Sequence, residues 1–176
     1  MKLSHSRSRR RSSLSQRESA ILFSVAGMVF AIAADAIDEV RNLDGLVPCD
    51  LASAYQRLEK VRFTLERQGR RYFVVDAGVH FGIPTAGAQA TRLMVMRNIP
   101  VAVLVGGIER MHDIAAVRAL PAAFCGDERR WYRGLTVLKG RVVPVVNPDA
   151  FLTRAEFTLS EASHAWAPEK MAVAGA

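Results

Sequence analysis

At 176 residues, half of them hydrophobic, the chain is long enough to form one large domain or two small ones around a true core. Its net charge is +7, but residues 1–19 hold six basic residues and one acid, so most of that charge lies in the N-terminal segment. A body that bound nucleic acid would carry a basic face of its own, which argues against a nucleic-acid partner. The two cysteines, Cys49 and Cys125, belong to no Cys-x-x-Cys pair, which excludes a zinc or redox motif of that type and fits a reducing cytosol.

The first segment of the chain, residues 1–19, is rich in serine and arginine and poor in apolar residues, which predicts a disordered basic arm. Weak contact between this arm and acidic partners or anionic lipid is the alternative. Together with the apolar stretch 21–34, the arm also resembles a secretory signal peptide, although the stretch is too short to span a membrane. A strand is the favoured interpretation, because residues 93–105 repeat the pattern far from the N-terminus.

The first half of the chain is predicted to begin with a β-hairpin over 21–33, with its turn at Ala26-Gly27. Asp35 can cap a short helical turn that carries Ile37 and Val40 three residues apart on one side. The apolar spacing over 50–60 favours a helix, and the alternation over 61–65 favours a half-buried strand. A turn at Gln68-Gly69 and an apolar strand over 72–75 complete this half.

The second half repeats the same order of signals after a glycine-containing link over 77–90. A hairpin is predicted over 93–105, and the segment 108–117 corresponds to the one that follows the first hairpin. A closing hairpin over 134–146 turns at Lys139-Gly140. Asn147 then caps a short helical turn that has Pro148 at its first position.

The two halves correspond at a nearly constant spacing, since Gly69 and Gly140, like Asp76 and Asn147, stand 71 positions apart, and Val29 and Val101 stand 72 apart. This spacing is too long for a solenoid repeat. Many short strands with frequent turns predict a mainly β fold of two small closed barrels with short helices. We expect a basic arm over 1–19, a domain over 20–155 divided into 20–90 and 91–155, and a C-terminal tail over 156–176.

A search for catalytic motifs gives little support for an enzyme. His80 and His112 each have carboxylates nearby, but neither has a second histidine at a spacing typical of a metal site. No nucleophile elbow, phosphate-binding glycine loop or zinc-protease helix occurs. We therefore expect no catalytic residues, no cofactor and no metal, and an enzyme built on a small β-barrel remains the alternative.

The order and spacing of the blocks resemble the CheW-like family of chemotaxis coupling proteins. The resemblance covers roughly residues 20–155 and rests on blocks such as Ile37-Asp38-Glu39-Val40, Val74-Val75-Asp76 and Gly140-Arg141-Val142-Val143-Pro144-Val145-Val146-Asn147. It implies two five-stranded SH3-like barrels related by pseudo-twofold symmetry. It also implies a non-catalytic, cytoplasmic adaptor that joins chemoreceptor tips to the regulatory domain of a chemotaxis histidine kinase, with no membrane span.

The resemblance also suggests a partner-binding surface. The family's contact positions after the first hairpin fall on Ile37 and Glu39, with Val40 beside them, and the core is the alternative place for Ile37 and Val40. The family's Asn-Leu-Arg-Gly turn aligns with Glu66-Arg67-Gln68-Gly69, where only the glycine is kept. Arg67 and Gln68 are therefore included in the predicted surface. This departure leaves a second possibility, a CheW-like interaction module in another signalling or motility complex without chemoreceptor binding.

Overall fold

The computed structural model describes residues 18–49, 58–84, 87 and 89–173, with side chains described through residue 163. Eleven strands form within these residues: β1 Glu18–Val25, β2 Met28–Ala33, β3 Ile37–Arg41, β4 Leu46–Pro48, β5 Val61–Arg67, β6 Arg70–Asp76, β7 Arg92–Met96, β8 Val101–Val105, β9 Gly107–Ile114, β10 Tyr132–Leu138 and β11 Arg141–Val146. Three α-helices accompany them: α1 Ala77–His80, α2 Glu128–Trp131 and α3 Arg154–Val173. Two single 3₁₀ turns cover Ala34–Ala36 and Pro148–Ala150.

The strands form two sheets, which confirms the mainly β prediction. The six-stranded sheet has the order β3-β7-β8-β6-β5-β4, and we call it the first barrel. The five-stranded sheet has the order β10-β11-β2-β1-β9, and we call it the second barrel. Without the three-residue β4, the two orders match strand for strand, which is the architecture expected for a duplicated unit.

Each sheet takes strands from both halves of the sequence. The hairpin β1-β2 from the first half lies in the second barrel, and the hairpin β7-β8 from the second half lies in the first barrel. The boundary expected between residues 90 and 91 therefore does not separate the sheets. The reason is that β6 pairs in parallel with β8, and β11 pairs in parallel with β2, so each copy completes its sheet with the hairpin of the other.

The register of these parallel pairs fixes how the copies correspond. Val74 faces Ala102 in the first barrel, and Val145 faces Ala31 in the second. Val74 and Val145 are thus 71 positions apart in the sequence, and so are Ala31 and Ala102. Val101 consequently corresponds to Phe30 and not to Val29, one residue from the sequence-based match.

Three buried clusters make up the core, and strand alternation assigns side chains to them. On β6, Tyr72 and Val74 point into the first barrel, whereas Phe73 and Val75 point into the layer between the sheets. On β2, Ala31 points into the second barrel, whereas the neighbouring Phe30 and Ile32 join the same middle layer. The two barrels are therefore held together by a continuous apolar core.

Two local expectations differ from the structure. The helical turn after the first hairpin is limited to Ala34–Ala36, and Ile37 and Val40 lie on the strand β3, where they pair with Met96 and Met94 of β7. Here, long-range strand pairing outweighs a local helical spacing. Most of the tail predicted over 156–176 lies in α3, whose N-terminus packs Phe157 edge-on against Phe73 at a centroid distance of 5.6 Å.

Other local expectations are confirmed or lie outside the described residues. The corresponding residues Asp76 and Asn147 both cap a helical turn directly after a strand, through bonds accepted from backbone N–H groups. Of the arm predicted over 1–19, residues 1–17 lie outside the described residues, whereas Glu18 and Ser19 begin β1. The helix predicted over 50–60 falls mostly on residues that are not described.

Candidate partner-binding surface

The predicted surface residues lie where β3 meets the hairpin β5-β6. The Arg67 guanidinium at the end of β5 bonds to the Asp38 carboxylate at 2.8 Å and to the Glu39 carboxylate at 2.9 Å. Because β3 is one edge of the sheet and β5 lies near the other, these ion pairs join the two sides of the first barrel. The structure therefore brings Glu39 and Arg67 together.

A β-bulge explains why two neighbouring carboxylates reach one arginine. In the pairing of β3 with β7, Ile37 faces Met96 and Glu39 faces Val95, so Asp38 is the extra residue. Consecutive side chains on a regular strand point to opposite faces, and a bulge re-aims one of them. Asp38 contributes to the cluster, although the sequence-based surface did not include it, because a bulge has no clear sequence signal here.

Ile37 and Val40 occupy different environments. Ile37 is only 5% exposed and packs in the layer between the sheets, so its side chain is not available to a partner. Val40 is 40% exposed, so its side chain is available to a partner. The sequence left open whether Ile37 and Val40 lie in the core or on the surface. The structure places Ile37 in the core and Val40 on the surface.

Gln68 lies exposed at the tip of the hairpin β5-β6. Gln68 and Gly69 both have positive φ angles, 51° and 72°, as a two-residue hairpin turn of the I′ type requires. Behind the turn, Arg71 bonds to Glu66 at 2.7 Å, and the Arg70 guanidinium lies 5.5 Å from the centre of the Tyr72 ring. The tip is thus a charged, ordered surface with an uncharged amide at its apex.

The charge on Arg67 is reinforced by its surroundings. The hydrogen bond to Asp38 is the largest influence and raises the pKa of the Arg67 guanidinium above its ordinary value; desolvation opposes this, and Glu39 adds to it. Arg67 therefore stays fully charged, and its Nη1 and Nε groups are paired with two carboxylates of its own chain. An incoming partner would meet a satisfied ion-pair cluster and not a free arginine.

Comparison with known proteins identifies the fold. The family model of the CheW-like domain matches residues 19–156, which is most of the chain. The chain belongs to the CheW-like domain family. Among solved structures, the scaffolding protein TtCheW from Thermoanaerobacter tengcongensis matches with a TM-score of 0.64 and 14% sequence identity, over 74% of this chain and 89% of that one. A search of curated proteins gives no match.

The histidines of this CheW-like domain do not form a shared site. His80 lies on α1, where it is 6% exposed and surrounded by the rings of Phe81, Trp131 and Phe151. His112 lies on β9, opposite Ala20 of β1. Within the described residues, no group of three or more His, Cys, Asp or Glu side chains could hold a metal ion. Over the same part of the chain, no helix has both the length and the apolar character that crossing a bilayer demands.

A buried polar network near α3 was not anticipated from the sequence. The Lys60 ammonium lies 2.9 Å from the Glu156 carboxylate and 3.5 Å from Nδ1 of His80. Burial, and secondarily the Lys60 charge, lower the pKa of His80 to about 3, so its ring is neutral at physiological pH. Thr153 and Glu156 form a capping box, in which Thr153 N–H donates to Glu156 and Glu156 N–H donates to the Thr153 hydroxyl. The spacing Thr-x-x-Glu was the available signal for this helix start.

Proposed function

We propose that this CheW-like domain is a cytosolic, non-catalytic adaptor that couples chemoreceptors to a chemotaxis-type histidine kinase. The observation that carries the proposal is membership of the CheW-like family over residues 19–156. It is supported by the exposure of Val40 on an edge strand, next to the Arg67 ion-pair cluster. An exposed apolar residue flanked by fixed charges is the kind of feature that a protein interface buries.

The partner surface that we propose consists of Glu39, Val40, Arg67 and Gln68, with Ile37 acting beneath it. Val40 would provide the apolar contact, and the ion-pair cluster would provide orientation and charge complementarity. Ile37 would contribute by anchoring β3 in the core, since its buried side chain keeps Val40 and Glu39 in place.

The second candidate, a CheW-like module without chemoreceptor binding, is favoured by one specific feature. Gln68 stands where the family's turn carries an arginine, and the neighbouring Arg67 is committed to Asp38 and Glu39. If receptor binding depends on a free arginine at this turn, only kinase binding would be retained.

The test is a binding assay with the regulatory domain of a chemotaxis histidine kinase and, separately, with a chemoreceptor tip, both from the genome that encodes this chain. Val40→Arg should weaken kinase or receptor binding at least tenfold without changing the melting temperature. Met111→Arg is the control, because Met111 is also an exposed apolar residue on a strand but lies on β9 of the second barrel.

Three outcomes have distinct meanings. Loss of both interactions in Val40→Arg, but not in Met111→Arg, supports the adaptor. Kinase binding without receptor binding in the wild-type chain supports the second candidate. Equal binding by wild type and Val40→Arg would remove β3 from the interface.

A further inference from the structure

The two barrels differ sharply at corresponding hairpins. In the hairpin β5-β6 of the first barrel, Glu66 faces Arg71 across the strands, and the two form an ion pair. The shift of 71 positions places Val137 and Val142 at the same sites of the hairpin β10-β11, where they also face each other. These two valines are 55% and 65% exposed. The duplication thus replaces a charged pair with an exposed apolar pair.

The side of the barrel that Arg67 closes is also different in the second copy. Leu138 corresponds to Arg67, and Glu109 of β9 corresponds to Asp38 of β3. A leucine cannot bridge to a carboxylate, so this end of the second barrel lacks the closing ion pairs of the first. In the second barrel, a pair of backbone hydrogen bonds, each 2.8 Å long, joins Arg118 in the segment after β9 to Leu135 of β10.

An open groove occupies the place of the missing ion pairs. Its volume is about 550 Å³. Its lining includes the apolar residues Leu22, Met28, Leu138 and Val142, the polar residues Glu109 and His112, and the cations Lys139 and Arg141, which we call its rim. Met28 is itself 53% exposed. Val137 faces the groove residue Val142 across the hairpin, so the exposed apolar surface extends beyond the groove lining. Exposed apolar surface of this kind marks interaction sites; we call the lining residues the second-barrel groove.

The charge of the rim indicates what fits the groove. Lys139 and Arg141 are exposed beside the apolar residues, and Glu109 is the one acidic residue among those that line it. A second copy docked by the same face would bring four such cations to one interface, which like-charge repulsion disfavours. A partner with apolar side chains flanked by carboxylates satisfies both the groove and the rim.

We propose that the second-barrel groove binds an acidic amphipathic helix, which inserts apolar side chains at i, i+3 and i+4 between Met28, Leu138 and Val142 and pairs its carboxylates with Lys139 and Arg141. This is a helix-in-groove mode of recognition. The groove is on the second barrel, whereas Val40 and Arg67 are on the first. Helix binding by the groove can therefore be tested independently of the proposed adaptor surface.

The test uses the full chain and two synthetic stapled 16-residue helices. Both carry leucines at i, i+3, i+4 and i+7; one has glutamates at the flanking positions, and the other has lysines. We expect the glutamate helix to bind at least tenfold more tightly by fluorescence polarisation, to lose affinity with added salt, and to shift the methyl resonances of Leu138 and Val142. Equal affinity for the two helices, or methyl shifts confined to other residues, would overturn the proposal.

The duplication itself supplies the blocking variant. Val137→Glu, Leu138→Arg and Val142→Arg together place the first barrel's Glu66, Arg67 and Arg71 at the corresponding positions of the second barrel. This triple variant should fold and lose at least tenfold in affinity for the glutamate helix, whereas Val47→Arg should bind normally. Arg141→Glu provides an independent test if the triple variant is unstable, and it should weaken binding at least fivefold.

Self-association is the competing occupant, and the same samples examine it. Sedimentation velocity over a hundredfold concentration range should show one species whose size does not change. A concentration-dependent dimer that the triple variant abolishes would assign the groove to a second copy and overturn the proposal. Unchanged peptide binding by both groove variants would show that the groove is not the binding site.

Discussion

The Arg67 guanidinium on β5 donates to the Asp38 carboxylate on β3 at 2.8 Å, across the side of the first barrel that backbone hydrogen bonds leave open. The same guanidinium reaches Glu39 at 2.9 Å. One side chain thus links β3 to β5, two strands that are not neighbours in the sheet. Glu39 and Arg67, which the family resemblance assigned to partner binding, therefore also connect two strands of the first barrel. Experiments on these residues must distinguish an effect on binding from an effect on folding stability.

Replacing Arg67 with alanine should lower the melting temperature by a few degrees at low salt. The loss should shrink at 1 M NaCl, because surface ion pairs are modest in strength and screened by salt. Thermal unfolding followed by circular dichroism at the two salt concentrations measures the effect.

Arg67→Lys is the matched control for geometry. Lysine keeps the charge but lacks the planar fork that bonds two carboxylates at once, so its melting temperature should lie between wild type and Arg67→Ala. Identical melting of all three proteins would mean that the ion pairs do not hold β3 to β5.

The strength of the sequence signals explains which parts of the fold were predictable. The turns at Gln68-Gly69 and Lys139-Gly140 predicted two hairpins at corresponding positions, and both form. The repeat also predicted two similar barrels. It did not predict that each barrel contains the other half's hairpin, because similarity between segments does not say which segments pair. That choice depends on tertiary contacts such as Val74 with Ala102.

The candidate surface was only partly predictable for a related reason. Alternation can suggest which residues share a face of a strand, but the bulge at Asp38 breaks the alternation on β3. Asp38 was therefore missed, and Ile37 was included although its side chain is buried. The groove of the second barrel reflects sequence differences between the two copies. These differences can be interpreted only after the strand register shows that Leu138 occupies the position that Arg67 has in the first barrel.

The turn of the hairpin β1-β2 should be sensitive to backbone conformation alone. Gly27 has a φ of 82°, and no atom lies within 4 Å of where its Cβ would be, so any penalty comes from the left-handed backbone. Gly27→Ala should reduce the free energy of unfolding by about 1–2 kcal/mol, as measured by urea denaturation.

Ala26, the other residue of this turn, allows a change in the opposite direction. Its φ is 47°, a region in which asparagine is far more favourable than alanine. Ala26→Asn should therefore raise the urea midpoint. A rise in Gly27→Ala, or a fall in Ala26→Asn, would contradict the positive φ angles of these two turn residues.

The start of α3 depends on Glu156, which caps the helix and pairs with Lys60. Removing this carboxylate leaves the Lys60 ammonium without its 2.9 Å partner and the Thr153 N–H without an acceptor. Glu156→Ala should cost about 1–3 kcal/mol in unfolding free energy. Glu156→Gln should cost less, because an amide oxygen can still accept from Thr153.

A local readout distinguishes loss of the helix from loss of the fold. Hydrogen exchange should accelerate for backbone amides of α3 in Glu156→Ala, while amides of β6 and β8 stay protected until global unfolding. Uniform acceleration throughout the chain would show that α3 is part of the same cooperative unit as the barrels.

The buried ring of His80 should make folding stability depend on pH. Its pKa is lowered to about 3 in the folded state, mainly by burial, whereas an unfolded histidine titrates near 6.5. Between these values the unfolded chain binds more protons than the folded one, so stability is full above pH 6.5 and is lost as the pH falls toward 3. Over pH 6 to 5, this single group should contribute a slope of roughly 1.4 kcal/mol per pH unit at most.

His80→Gln is the variant that isolates this contribution, since glutamine cannot gain a proton but can still accept a bond from Lys60, whose ammonium lies 3.5 Å from Nδ1 of His80. Urea denaturation at pH 5.0, 5.5, 6.0 and 8.0 should show a shallower acid slope in the variant and parallel behaviour of both proteins above pH 7.

The carboxylate of Glu156 also faces this network. Burial raises the pKa of Glu156, but the hydrogen bonds from Thr153 and Lys60 outweigh that effect and lower it. The stability that this carboxylate contributes is therefore lost at a lower pH than the contribution of His80. Equal slopes of wild type and variant between pH 6 and 5 would show that His80 accepts a proton without unfolding the chain, which the closed ring cluster of Phe81, Trp131 and Phe151 should prevent.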